Sequence, residues 1–205
     1  MNVIFDPERI LTDTGYCHFF AWKEMSREQG IEYDEELDAQ LQGTDAAGRL
    51  EVILTRAHRS YSPAERMVLL TRQSDLYDEI LVREGRNVLL PGAMQLIQAL
   101  KAQGHVLGAV MTGGLAGQVL SRLPIGCMFQ VFACEGDVAE QLRFVVRRLK
   151  AAPENCLLVS AFPAAAGMAR AMDMPALLYP DGEERTVILQ QILSAANETK
   201  EKNGG

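Results

Sequence analysis

Cysteine and histidine are both scarce in this chain, four and three residues, and their spacing excludes more than it suggests. Cys17, Cys127, Cys134 and Cys156 form no CxxC pair, and His18, His58 and His105 share no metal-ligand spacing, so neither a zinc cage nor a disulfide framework is read here. The expectation is four buried or half-buried thiols in a reducing compartment. Positive charge is also short. Twenty Lys and Arg against 27 Asp and Glu leave a net charge of −7, which offers no attraction to nucleic acid or to an anionic membrane. No run approaches the roughly 20 apolar residues of a membrane span. The opening Met1-Asn2-Val3-Ile4-Phe5-Asp6 lacks the basic and apolar zones of a signal peptide, so a cytoplasmic protein is expected.

What is present is an ordinary globular balance, 48% hydrophobic and 23% charged, which allows a buried core and argues against disorder. Met1 to Phe5 is a short apolar run ending at an acid and a proline, the pattern of a buried strand. From there to about Gly85 the spacing is helical. Phe19, Trp22 and Met25 recur every three residues, and Leu50, Ile53, Leu54 and Ala57 mark a second face. A further helix opens at Ser62-Pro63-Ala64-Glu65, a capping box with proline at the first helical position. Its apolar stripe is read as Met67, Leu70, Tyr77 and Leu81, interrupted by Gln73 and Ser74. The acidic run Asp34-Glu35-Glu36 reads as a solvated helix start.

After Gly85 strands and helices alternate. Strands are expected at Val106–Met111, Val131–Ala133, Leu157–Val159 and Ala176–Tyr179. Helices are expected at Ala93–Ala102, Leu115–Leu123, Val138–Ala151, Ala164–Met172 and Arg185–Ala196, with Asn197–Gly205 a frayed polar tail. Nearly continuous apolar strands between helices imply a doubly wound parallel sheet covered on both faces. The fold class is therefore α/β, with a helical bundle inserted after the first strand: residues 1–14 and 86–205 form the core, and 15–85 a helical domain. Ligands of such sheets sit at the carboxyl ends of the strands. Here those ends are Asp6-Pro7-Glu8, Thr112-Gly113-Gly114, Glu135-Gly136-Asp137 and Ser160-Ala161-Phe162.

Val3-Ile4-Phe5-Asp6 with Glu8, then Ile10-Leu11-Thr12-Asp13-Thr14, resembles the first motif of β-phosphoglucomutases in the haloacid dehalogenase (HAD) superfamily. The likeness runs on through His18-Phe19, Ala21-Trp22-Lys23, Leu41-Gln42-Gly43 and Leu90-Pro91-Gly92, and resumes at Met111-Thr112 and in the helix from Ala164 to Met172. The resemblance implies a phosphotransferase core with a helical cap, in which an aspartate attacks a phosphoryl group and a second acid two residues on acts as general acid/base. It implies Mg²⁺ as cofactor and a small sugar phosphate as ligand. Position by position, Asp6 matches the nucleophile and metal ligand, and Glu8 the acid/base. Thr112 matches the phosphate-binding hydroxyl, with the Gly113 amide beside it at a helix start. Thr14 and His18 match the hinge and substrate region.

The chain also departs from that pattern. Pro7 has no N–H to direct at a phosphoryl group, and Arg9 replaces a glycine, so a positive φ there would be strained. Gly136 falls near the position of the family's lysine, and Ser160-Ala161 stands where the family has its metal-binding acid pair. Ala46 and Gln73 replace the cap's arginine and lysine. Arg9 either supplies the absent positive charge, pairs with Glu8 or points to water. Glu135 or Asp137 either swings in as the missing metal carboxylate, with Ser160 as a weak helper, or forms a solvated acidic turn. Three readings follow. In the first, Mg²⁺-dependent transfer is lost or very weak and the fold is kept for binding a sugar phosphate or a partner protein. In the second, a phosphatase or mutase works with a rearranged metal site. In the third, the chain is a module for a protein partner.

Overall fold

The computed structural model describes residues 1–111, 123–179 and 185–202. The chain forms two compact units, Met1–Asp13 with Gly85–Gly205, and Thr14–Glu84.

The first unit is built on five parallel strands: β1 (Asn2–Phe5), β2 (Val106–Val110), β3 (Val131–Ala133), β4 (Cys156–Ser160) and β5 (Ala176–Leu178), in the order β3-β2-β1-β4-β5. The chain steps outward from β1 to β2 and β3, then crosses back to β4, so the order reverses beside β1. That is where doubly wound sheets bind ligands. β4 is buried along its whole length, and Val3, Ile4 and Phe5 are buried in β1, as strands covered on both faces must be. Helices α5 (Ala93–Ala102), α6 (Val138–Arg148), α7 (Pro163–Arg170) and α8 (Arg185–Lys202) belong to this unit. Leu142, Val145 and Val146 of α6 pack with Ile4, Val110 and Leu158 of the sheet and with Ala165 and Ala169 of α7. Gly108 lets α6 approach β2 closely: a Cβ there would lie 2.7 Å from Val145 Cγ1.

The second unit is helical: α1 (Gly15–Glu28), α2 (Glu35–Gln40), α3 (Ala46–Leu54) and α4 (Pro63–Glu84). The capping box expected at Ser62 is present, and Asp34 caps α2 as well. Asp34 Oδ1 accepts from Leu37 N–H at the start of α2, and Ser62 and Glu65 exchange hydrogen bonds at the start of α4. α1 packs on α4, where His18 stacks on Tyr77 with ring centroids 4.1 Å apart and Arg72 bridges to Glu28 at 2.7 Å.

Several expectations need correction. The buried stripe of α4 is Leu69, Gln73, Leu76, Tyr77, Ile80 and Leu81. Met67 lies 65% exposed, and the polar Gln73 is inside the face rather than interrupting it. The C-terminal segment is not frayed from Asn197. α8 continues to Lys202, anchored by buried Ile192 and Ala196, with the Asn197 amide oxygen 3.1 Å from His105 Nε2. α6 ends at Arg148 instead of Ala151, where Lys150 takes φ 53. Cys17 and Cys156 are buried, but Cys127 and Cys134 are exposed. Most of the helix expected at Leu115–Leu123 lies outside the described residues. Among the described residues no helix is long and apolar enough to cross a membrane.

Candidate functional site

The carboxyl end of β1 carries Asp6, whose N–H still bonds Val159 O at 2.9 Å and whose side chain is buried. Beyond it the chain folds into a tight loop around one acceptor. Pro7 O receives the N–H groups of Ile10, Leu11 and Thr12 at 3.1, 2.7 and 3.0 Å, and Arg9 N–H reaches Thr12 O at 2.7 Å. The loop is tied back by Asp13 N–H to Val88 O and by Leu90 N–H to Leu11 O, both 2.9 Å. Pro7 therefore lacks a donor of its own and also draws three neighbouring donors inward.

Glu8, half-buried, accepts a hydrogen bond from the Thr12 hydroxyl at 3.1 Å. Arg9 takes φ 64, a left-handed conformation that costs a side-chain-bearing residue about 1–2 kcal/mol. Its guanidinium lies over the Phe162 ring, 5.5 Å from the centroid.

Ser160, fully buried at the end of β4, meets Asp6. Its hydroxyl donates to Asp6 Oδ2 at 3.1 Å and accepts from Phe162 N–H at 3.0 Å. So the position matching a metal-binding acid holds a neutral hydroxyl whose proton already serves Asp6. The two acids beyond β3 diverge. Asp137 caps α6: its Oδ1 accepts from Glu140 N–H at 2.8 Å, while Glu140 Oε2 accepts from Asp137 N–H at 3.1 Å. To serve as a metal helper Asp137 would have to give up this cap, which contributes about 1 kcal/mol. Glu135 lines an open cleft on the outer edge of β3 with Phe132, Arg143, Phe144 and Arg147. Mg²⁺ takes octahedral oxygen ligands and is usually held by one or two carboxylates with substrate phosphates. Asp6 beside a serine, with Asp137 and Glu140 committed to a helix cap, does not fit that requirement. Among the described residues no three His, Cys, Asp or Glu side chains cluster as a metal cage.

Thr112 and Gly113, expected to bind phosphate, lie outside the described residues, but the residue before them is fixed by a contact that the sequence did not reveal. Gln141, buried on α6, accepts from Met111 N–H at 2.7 Å and donates to Met111 O at 2.9 Å and to Gly136 O at 3.1 Å.

Thr14 and His18 fall in the helical unit. Thr14 is its first residue, buried, and its carbonyl accepts from His18 N–H at 3.1 Å. Burial, and then the nearby Arg49 cation, lower the His18 pKa to about 4, against a smaller opposing effect of Asp38. Arg49 is itself held by Asp38, by the Tyr33 hydroxyl at 2.6 Å and by Leu41 O at 3.0 Å, and lies over the Trp22 ring. Burial and the Asp38 hydrogen bond push the Tyr33 hydroxyl well above its usual pKa. Gln73 Nε2, deep in the α4 face, has no hydrogen-bond partner among the described residues.

No family model matches the chain. It is 32% identical over 125 residues to β-phosphoglucomutase of Bacillus subtilis strain 168, a stretch covering 60% of this chain and 55% of that protein. Its fold matches the crystal structure of β-phosphoglucomutase from Clostridium difficile with a TM-score of 0.71 at 22% identity, over 96% of this chain and 97% of that one. A putative β-phosphoglucomutase from Thermotoga maritima matches at 0.73 and 18% identity, over 97% and 99%. CbbY of Rhodobacter sphaeroides, crystallised with xylulose-(1,5)bisphosphate, matches at 0.68 and 19%, over 90% and 89%. The fold is one that these solved structures share with a HAD-superfamily hydrolase from Geobacter sulfurreducens PCA, which matches at a TM-score of 0.73 and 15% identity, over 95% of each chain. The sequence likeness to β-phosphoglucomutase spans those 125 residues, about half the length of that protein.

Proposed function

We propose that this protein binds a small sugar phosphate at the carboxyl edge of its sheet, with Mg²⁺-dependent phosphoryl transfer lost or very weak. In this reading the core comprises residues 1–14 and 86–205, and the helical segment 15–85 acts as the cap. Asp6 faces the phosphoryl group, Glu8 stands beside it as the second acid, and Thr112 with the Gly113 amide holds the phosphate oxygens. Thr14 and His18 belong to the hinge and sugar side. The likeness to β-phosphoglucomutases, and CbbY's complex with xylulose bisphosphate, support the ligand class.

One observation carries the loss of transfer: the Ser160 hydroxyl bonded to Asp6 where a cation would need a second carboxylate. A carboxylate approaching a phosphate dianion meets like charge, roughly 4 kcal/mol per unit pair at about 4 Å and an effective dielectric near 20. Phosphoryl transfer depends on positioning and on neutralising that charge. Here Ser160 is neutral, Asp137 is committed to capping α6, and the Ile10, Leu11 and Thr12 amides bond Pro7 O inside the loop. Purified protein incubated with Mg²⁺ and β-glucose 1-phosphate tests the proposal. Turnover above about 1 s⁻¹, ordinary for an enzyme, that disappears in Asp6→Asn would overturn it.

A second reading, an active phosphatase with a rearranged metal site, has Glu135 in its favour, because its carboxylate takes no part in the α6 cap. Thermal-shift titration with sugar phosphates addresses the third: a ligand of the native state raises stability, whereas no shift with any of them favours a module for a protein partner.

A further inference from the structure

α6 turns Leu142, Val145 and Val146 into the core and leaves Glu140, Arg143, Phe144 and Arg147 exposed. Those four follow one another at helical spacing, so they form one stripe along the helix. The stripe runs beside the outer edge of β3, across a cleft of about 480 Å³ that Cys134 and Glu135 also line. β3 stands at the end of the sheet and pairs only with β2, so among the described residues its outer edge is unpaired. The Arg147 guanidinium lies over the Phe144 ring, 5.9 Å from the centroid. Among the described residues neither Arg143 nor Arg147 is engaged by a carboxylate, unlike Arg27, Arg49, Arg59 and Arg72 of the helical unit.

Charge narrows what this face can receive. The guanidiniums of Arg143 and Arg147 and the carboxylates of Glu135 and Glu140 cancel, on a chain whose net charge is −7. A strongly anionic ligand or peptide gains no net attraction there. A strand added to β3 would find only Val131–Ala133 to pair with, and so short an edge resists such pairing. A second copy of the chain is different. Turned antiparallel about an axis between Arg143 and Phe144, the stripe is its own complement: Glu140 faces Arg147 of the second copy, and Arg143 faces its Phe144. An isologous contact requires that reciprocity. Glu140 Oε2 already accepts from Asp137 N–H, but a carboxylate has further lone pairs for a guanidinium. A basic last turn is expected of any helix, and an exposed phenylalanine of any surface; neither accounts for a stripe that matches itself on reversal.

We propose that this face of α6 is a homodimer surface, on which two copies dock antiparallel through Glu140, Arg143, Phe144 and Arg147. Each dimer gains two ion pairs and two guanidinium–ring contacts. The pairing does not depend on sugar-phosphate binding.

Sedimentation equilibrium of the wild-type chain, Arg147→Glu, Phe144→Ser and the charge swap E140K/R147E is the test. One helix face beside a strand edge makes a small interface, of the class burying under about 1,200 Å² in total, so a wild-type dissociation constant of about 10–100 μM is expected. R147E sets a carboxylate against Glu140 of the second copy, twice per dimer, and should weaken association at least about tenfold, as should F144S. The swap restores opposite charges at both contacts and should return the constant to within about threefold of wild type. A purely local role of Arg147 in α6 would give no such recovery. A wild-type chain still monomeric at about 500 μM overturns the proposal. So does a dimer indifferent to R147E and F144S, or a swap that folds without recovering association. The swap gives up the Glu140 half of the α6 cap. Should it fail to fold, alkylation of the exposed Cys134 in a Cys127→Ser chain, where Cys17 and Cys156 are buried, takes its place. Cys134 should react more slowly at about 500 μM protein than at about 5 μM, and the difference should vanish with R147E. Equal rates at both concentrations without R147E overturn the proposal.

Discussion

Ser160, 154 residues from Asp6 in sequence, donates its hydroxyl to Asp6 Oδ2 at 3.1 Å and holds Phe162 N–H at 3.0 Å. The pair joins the ends of β1 and β4 where the strand order reverses, and in the proposed reading it stands in for a metal-binding carboxylate. Replacing the hydroxyl tests this directly. Ser160→Ala leaves a buried carboxylate oxygen without that donor and an amide without that acceptor. A stability loss of about 1–3 kcal/mol is expected in chemical denaturation. Ser160→Asp puts a second carboxylate beside Asp6, so it should be less stable than wild type in the absence of cations and gain several degrees of melting temperature on adding Mg²⁺. A wild-type chain that gains as much from Mg²⁺ would contradict this.

His18 is expected to remain neutral through the physiological range. Its folded pKa of about 4 lies below the ordinary 6.5, so the unfolded chain binds the proton more readily. Its contribution is full above about pH 7 and declines as pH falls through 6.5 toward 4, by up to about 3 kcal/mol in total. Titration of the imidazole by NMR checks the value. Arg49→Met, which removes the nearby cation, should raise the His18 pKa, and an unchanged or lower value would show that Arg49 exerts no such influence.

Arg9 separates backbone strain from side-chain contact. Arg9→Ala loses the guanidinium over Phe162 but keeps the left-handed φ of 64, whereas Arg9→Gly loses the contact and relieves the strain. R9G should be more stable than R9A by about 1 kcal/mol, measured by denaturant unfolding. Equal stabilities would mean that the loop relaxes around position 9.

Gln73 is a polar side chain kept where an apolar one would pack. Its buried Nε2 has no partner among the described residues, so Gln73→Leu should stabilise the fold by about 1 kcal/mol. If Gln73 is retained for a ligand, the same variant should bind sugar phosphates more weakly. A Q73L protein that is less stable would mean that the amide does have an effective partner.

The sheet was legible from the sequence because its strands are short apolar runs between helices, and Asp6, Glu8 and Ser160 could be placed at strand ends from chain order alone. The Arg9 strain followed from a side chain standing in a glycine position. Contacts between distant residues were not legible. Nothing local marks the pairing of Gln141 with Met111, 30 positions earlier. Asp137 reads as a metal helper or as part of a solvated acidic turn, and its cap with Glu140 emerges only from the reciprocal bonds. Gln73 was misplaced because a polar residue was assumed to break an apolar face. The C-terminal helix was cut short at Asn197 because its tie to His105 spans 92 residues.

The proposed loss of Mg²⁺-dependent transfer rests on the neutral Ser160 hydroxyl bonded to Asp6 and on there being, among the described residues, no cluster of three His, Cys, Asp or Glu side chains. Isothermal titration of Mg²⁺ into the wild-type chain, with and without inorganic phosphate, tests it most directly. The account predicts no binding tighter than the millimolar range, about −4 kcal/mol. Mg²⁺ bound at micromolar concentration and lost in Asp6→Asn would contradict it.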